Sequence, residues 1–137
     1  MKYKIGVAGV GMVGAQVKMW FDEKGYKVFA YDKFKNLGKM DDLFAADIIF
    51  LCLPTPHDSN SKSGVNLSLF TGFIKLFNGS KIFVIKSTIP PGTTDILQKR
   101  FKRHKFFHSP EFLTEITAWK DFSEPVFQLL GYTEGNR

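Results

Sequence analysis

Cysteine is almost missing from this chain: Cys52 is the only one in 137 residues. A lone thiol cannot form an intramolecular disulfide or a cysteine-rich metal centre, and it suits a reducing compartment, so the expected location is the cytoplasm. Long apolar runs are lacking too. The longest, Ile48 to Leu53, falls far short of the roughly 20 residues that span a bilayer, and no membrane partner is expected. The apolar stretch after Met1-Lys2-Tyr3-Lys4 is broken by Gly6, Gly9, Gly11 and Gly14, which sets it apart from a secretory signal. No repeat, low-complexity tract or linker marks a boundary, so residues 1–137 are expected to form one domain. His57, His104 and His108 lack metal-ligand spacing, and no metal is expected. Net charge is modest: 19 Lys and Arg against 13 Asp and Glu give +6, which suits anionic small ligands without implying nucleic acid.

What remains is an ordinary globular composition, 44% hydrophobic and 23% charged. Lys2 to Ala8 reads as a strand that runs into glycine. Val13, Val17, Trp20 and Phe21 then recur near helical spacing between Gly11 and Lys24, with Gly25 as the stop. Tyr26 to Tyr31 and Asp47 to Leu53 read as further strands, the second apolar enough to be covered on both faces. Only Lys33 to Ala46 joins them, so the helix between them must be short. After a loop at Pro54 to Gly64, a helix is predicted over Leu67 to Phe77 and a strand over Lys81 to Lys86. A helix after Pro90-Pro91-Gly92-Thr93, a strand at Lys105 to His108, a helix from Ser109-Pro110-Glu111 and a last strand at Val126 to Leu130 complete the reading. The alternation predicts an α/β, Rossmann-like, doubly wound parallel sheet.

The segment Gly9-Val10-Gly11-Met12-Val13-Gly14 satisfies G-x-G-x-x-G between a predicted strand and a predicted helix. The first glycine permits a tight turn, the second lets a pyrophosphate approach the backbone, and the third lets the helix pack on the strand. Asp32 lies 23 positions after Gly9 at the end of strand two, where its carboxylate can accept hydrogen bonds from the adenosine ribose and repel a 2′-phosphate. NAD is therefore favoured over NADP. Two alternatives stand beside this: the glycines serve a turn alone, or Lys33 and Lys35 hold a 2′-phosphate.

Three more segments follow in order: Leu51-Cys52-Leu53-Pro54-Thr55-Pro56, Lys86-Ser87-Thr88-Ile89-Pro90-Pro91-Gly92-Thr93, and Ser109-Pro110-Glu111-Phe112-Leu113-Thr114-Glu115 with Ala118, Asp121 and Phe122. With the glycine motif, they make the chain resemble, to about Phe122, the N-terminal NAD-binding domain of the UDP-glucose/GDP-mannose dehydrogenase family. The resemblance implies oxidation of a nucleotide-sugar C6 hydroxyl to a carboxylate with two NAD, through a thiohemiacetal on a cysteine. It places Pro54, Thr55 and Thr88 beside the cofactor, and Thr88 and Glu115 on a catalytic water. Glu115 also touches the nicotinamide side, and Glu111 is a substrate-side acid-base residue. If Ser109 caps a helix, Glu111 and Glu115 share one face, although an acidic residue in a first turn also favours the macrodipole without any catalysis. The chain departs from the family in a shorter segment before Pro54-Thr55-Pro56 and in Ile116, where a glycine often stands.

Cys52, between two leucines, reads as a small buried hydrophobe. The family's nucleophilic cysteine, and its substrate-binding lysine and asparagine, belong to later domains that these 137 residues are not expected to contain. This chain by itself is thus not expected to complete the reaction, and a nucleotide sugar becomes a partner only when those domains are supplied. The rival reading is a dinucleotide-binding protein without turnover, acting as a homo-oligomer or with a partner chain. The basic run Lys99, Arg100, Lys102, Arg103, His104 and Lys105 lacks a stacking platform for nucleic acid and reads as a solvated helix end.

Overall fold

The computed structural model describes residues 3–136. Segments of four residues each, apolar except at the two ends of the last, form β1 (Ile5–Ala8), β2 (Val28–Tyr31), β3 (Ile48–Leu51), β4 (Ile82–Ile85) and β5 (Lys105–His108). The first is shorter than the Lys2 to Ala8 expected from sequence, and Lys2 itself lies outside the described residues. All five run parallel in the order β2-β1-β3-β4-β5, and β6 (Gly131–Tyr132) joins antiparallel to β5. Ile5 pairs with Val28 on one side and Ile48 on the other, so β1 sits centrally, with the chain leaving in opposite directions from its two flanks.

Between the strands lie α1 (Met12–Glu23), a 3-10 helix (Met40–Ala45), α2 (Ser68–Ile74), α3 (Thr93–Arg100) and α4 (Ala118–Ser123). Alternation along the strands sorts them into two layers. Ala8, Ile49, Leu51, Phe83, Ile85 and Phe106 pack with Leu43 of the 3-10 helix, Phe70 and Ile74 of α2, and Leu97 of α3. Ile5 and Val7 point the other way, with Ile48 and Phe50, onto Val13, Val17 and Phe21 of α1 and Phe122 of α4. A strand residue thus serves one face and its neighbour the other, as a doubly wound sheet requires. Each fully buried Leu, Ile or Phe contributes about 1.5–3 kcal/mol by leaving water. The short β2–β3 connection expected from sequence is met by a single 3-10 segment.

Two expectations are corrected. No helix starts at Ser109-Pro110-Glu111; residues 109–114 are irregular and the helix begins only at Ala118. Its start is organised by Asp121, whose Oδ2 accepts from the Thr114 N–H at 3.1 Å and the Thr117 hydroxyl at 2.7 Å. The last strand is Gly131–Tyr132 rather than Val126 to Leu130, a stretch that is irregular and exposed, with Val126 at 99%.

At the outer side of β5, the Gln98 side chain takes on several backbone groups. Its Nε2 donates to the His104 carbonyl at 2.8 Å, while its Oε1 accepts from the Phe106 N–H at 3.3 Å and from Asn136 Nδ2 at 2.7 Å. His104 is 2% exposed, against Phe83, so it does not belong to the solvated basic face formed by the exposed Lys99, Arg100, Lys102, Arg103 and Lys105. Among the described residues, no helix is long and apolar enough to cross a membrane.

Candidate functional site: the carboxyl ends of the parallel strands

The turn from β1 into α1 shows three glycines in three different situations. Gly9 has φ +84°, and a Cβ there would stand 2.5 Å from the Cys52 carbonyl oxygen, because the β3 exit passes directly alongside. At Gly14 a Cβ would come within 1.9 Å of the Gly9 carbonyl oxygen, so the helix can approach the turn only without a side chain. Gly11 is the opposite case, with nothing within 4 Å of an added Cβ. It is the N-cap of α1, no side chain caps the helix start, and the first turn carries no acidic residue. The exposed backbone at Gly11 and the positive end of the helix dipole are therefore available to an anion. Val10 is buried beneath, Val13 packs on the same core, and Met12 is exposed at the first helical position.

Asp32 closes the turn from the β2 side. Its Oδ2 accepts from the Val10 N–H at 2.8 Å, and its Oδ1 accepts from the Phe34 and Lys35 N–H groups at 2.9 and 3.0 Å. The Val10 bond is the main force holding the Asp32 carboxyl below its usual range; partial burial opposes it, and the Lys35 and Phe34 amides and the Lys35 ammonium add to it. The carboxylate is thus ionised and fixed at the mouth between β1 and β2. Lys35, one of the two lysines weighed for a 2′-phosphate, places its Nζ 2.6 Å from the Val10 carbonyl oxygen; Lys33 is simply exposed.

This turn fits the phosphates and ribose of a dinucleotide: open backbone at the helix start, no competing acid there, and an ionised carboxylate one strand away. Residues 34–137 match the UDP-glucose/GDP-mannose dehydrogenase family, NAD binding domain. The chain belongs to that family. Its cofactor is accordingly NAD. The glycine turn and Asp32 lie just before the matched span, so the match does not reach them. Among curated proteins, this family member is 31% identical over 90 residues to the UDP-glucose 6-dehydrogenase of Campylobacter jejuni, covering 64% of this chain and 23% of that one. It is 33% identical over 88 residues to the UDP-N-acetyl-D-mannosamine dehydrogenase of Methanocaldococcus jannaschii, covering 58% and 20%. Its fold matches GDP-mannose dehydrogenase from Pseudomonas aeruginosa with a TM-score of 0.73 at 19% identity, over 95% of this chain and 41% of the other. The matches thus span less than a quarter of either curated relative.

The remaining sequence-derived residues scatter around the same edge of the sheet. Pro54 and Thr55 follow β3, the first exposed and the second partly buried. Thr88 is exposed after β4. Beside it, the Ser87 hydroxyl donates to the Leu53 carbonyl at 2.6 Å and ties the β3 and β4 exits together. The His108 ring donates from Nε2 to the Ser87 carbonyl at 3.3 Å, bringing in β5. Glu115 is exposed in the turn before α4 and makes no hydrogen bond or ion pair among the described residues. The proposed sharing of a helical face with Glu111 does not occur, because no helix joins them. No hydrogen bond links any two of Thr88, Glu111 and Glu115.

Glu111 goes elsewhere. It forms a largely buried ion pair with Lys86, whose Nζ also donates to the Ser109 hydroxyl at 3.0 Å. Lys86 is 7% exposed. Burial pulls its ammonium down to about 8, opposed by the neighbouring Cys52. The pair borders a cavity of about 200 Å³ lined also by Phe112, Asp121, Phe122 and Phe127. Lys86 is not among the site residues that the sequence suggests. The signal was present in Ile82-Phe83-Val84-Ile85-Lys86, where period-two alternation puts Lys86 on the face of Val84, beneath α4. Cys52 lies partly buried in the apolar layer under α1, and burial pushes its thiol up to about 12, against the pull of Lys86.

Proposed function

We propose that this chain binds NAD with the pyrophosphate over Gly11 and the start of α1 and the adenosine ribose against Asp32, within an oxidoreductase that acts on a nucleotide sugar. The observation that carries the reading is the contrast among the glycines: Gly9 and Gly14 are closed by neighbouring backbone and Gly11 faces open space. Val10, Met12, Val13 and Gly14 complete the turn, and Pro54, Thr55 and Thr88 line the crevice at the carboxyl ends of the strands. Glu111 and Glu115 serve the substrate side. Of these, Glu111 must part from Lys86 before it can exchange a proton. NAD, when bound, supplies the hydride acceptor. The nucleotide sugar also needs contacts from groups other than these, and the setting is cytoplasmic.

Calorimetric titration tests the site. Wild type should bind NAD more tightly than NADP, and Gly11→Val should lose binding while its thermal unfolding stays close to wild type. Equal NAD affinity for both proteins would move the site elsewhere.

The thiol of Cys52 supports a second reading, binding without turnover by this chain. A group that ionises near 12 and packs among apolar side chains is a poor nucleophile at neutral pH. Incubation with NAD and UDP-glucose should yield no NADH absorbance. Turnover abolished by Cys52→Ser would reverse this conclusion.

A further inference from the structure

The two peptide groups that flank Val10 are each gripped from the loop that follows β2. Asp32 Oδ2 holds the Val10 N–H at 2.8 Å, and Lys35 Nζ holds the Val10 carbonyl at 2.6 Å. No cis peptide bond occurs among the described residues, so in each peptide the N–H and C=O point in opposite directions. Gripping the Val10 carbonyl therefore fixes the direction of the Gly11 N–H, which shares that peptide. The Gly11 N–H donates to nothing among the described residues, and it stands at the one glycine of the turn that faces open space.

We infer that Lys35 is a positioning residue for the dinucleotide pyrophosphate: by holding the Val10 carbonyl toward the β2 loop, it aims the Gly11 N–H at the phosphate. This rests on the NAD site proposed above. The ammonium acts through the peptide and does not itself touch the ligand. Its charge also polarises the Val10–Gly11 amide, which makes the N–H a stronger donor to an anion. The assignment differs from the 2′-phosphate role that its charge suggests, because a lysine committed to Val10 treats NAD and NADP alike. Other charged groups at this point are Asp32, whose carboxylate lies beside the ammonium, and the exposed Lys33.

Three proteins suffice for the test: wild type, Lys35→Met and Lys35→Arg, each checked by thermal unfolding. For Lys35→Met, the dissociation constants for NAD and for NADP should rise together, by about tenfold, as expected for losing a charge-assisted hydrogen bond that orients a binding group. Lys35→Arg, which can still reach the carbonyl, should stay near wild type. In the ligand-free state, the Gly11 amide resonance should move in Lys35→Met and not in Lys35→Arg, a readout that general loss of stability would not mimic. Unchanged NAD affinity in Lys35→Met would overturn the inference. So would a loss confined to NADP, because the ammonium would then serve the 2′-phosphate directly. Failure of the wild type to bind NAD would instead remove the site assignment beneath it, a result distinct from both.

Discussion

The face of the sheet covered by the 3-10 helix, α2 and α3 holds a cluster of twelve buried residues, whereas the face under α1 and α4 holds a cluster of four. The first is rich in packed rings, with the buried His104 at its edge: Phe83 stacks on Phe106 with centroids 5.5 Å apart and meets Phe77 edge-on at 5.3 Å. The second carries Cys52, the Lys86–Glu111 pair and an open cavity. One face supplies the stability on which the other depends for its polar groups and openings. Both faces meet at the carboxyl ends of the strands, which is where a doubly wound sheet places its ligand.

The comparison breaks first at Phe83. Phe83→Ala should cost about 4 kcal/mol in urea unfolding, as large-to-small changes in a closed core do. A loss below about 1 kcal/mol would show that this face does not hold the fold.

Next comes Glu111→Gln, expected to cost about 3 kcal/mol at pH 7 because it leaves the Lys86 ammonium buried without its counter-charge. The pH dependence has a definite sign. The folded-state value of Lys86, about 8, lies below the free value of 10.5, so the unfolded chain holds more protons between them. Stability contributed by this group therefore rises as pH increases through that window. In Glu111→Gln the rise should begin at lower pH, since the lone ammonium gives up its proton more readily. Urea titrations at pH 7, 8, 9 and 10 would check this, and a fall in the variant's stability across the range would contradict it.

Gly11→Val separates binding from folding: φ of −78° and open space tolerate the side chain, so unfolding should shift by no more than about 1 kcal/mol, the cost of a poorer N-cap residue. NAD affinity should nevertheless fall at least about tenfold. The smallest effect is expected for Val126→Ser on the thinner face. Val126 is 99% exposed, and its replacement should stay within about 0.5 kcal/mol in the same assay.

These contrasts also explain what could be read from the chain alone. Four of the five parallel strands are legible as short apolar runs bounded by turn residues, and the glycine turn with Asp32 is legible because the glycines and the acid at the end of the next strand fall at the spacing of one strand-helix-strand unit. The segment from Ser109 to Leu130 is not. Ser109-Pro110-Glu111 carries a genuine helix-start signal, but the Lys86 ammonium at the end of β4 holds Glu111, and Asp121 gathers Thr114 and Thr117 to start the helix later. Lys86 comes from the end of another strand, so no local window around Ser109 contains the partner that draws Glu111 away from a helix. The segment Val126 to Leu130, apolar but for Gln128, has β propensity but no strand beside it. Pairing begins only at Gly131.

The Gln98 side chain has a consequence for association between chains. In a parallel sheet, a neighbouring strand reaches the carbonyl of one residue and the N–H of the residue two further on. The Gln98 amide does this at β5, donating to His104 O and accepting from Phe106 N–H, so one primary amide takes the bonds that the N–H and C=O of one residue of another strand would make. Beyond it, Gly131 and Tyr132 cover His108 and Phe107. A strand edge with free donors and acceptors is a template for aggregation by strand addition. Here that edge is already occupied by a glutamine and a two-residue strand, which leaves an incoming chain few backbone groups to pair with.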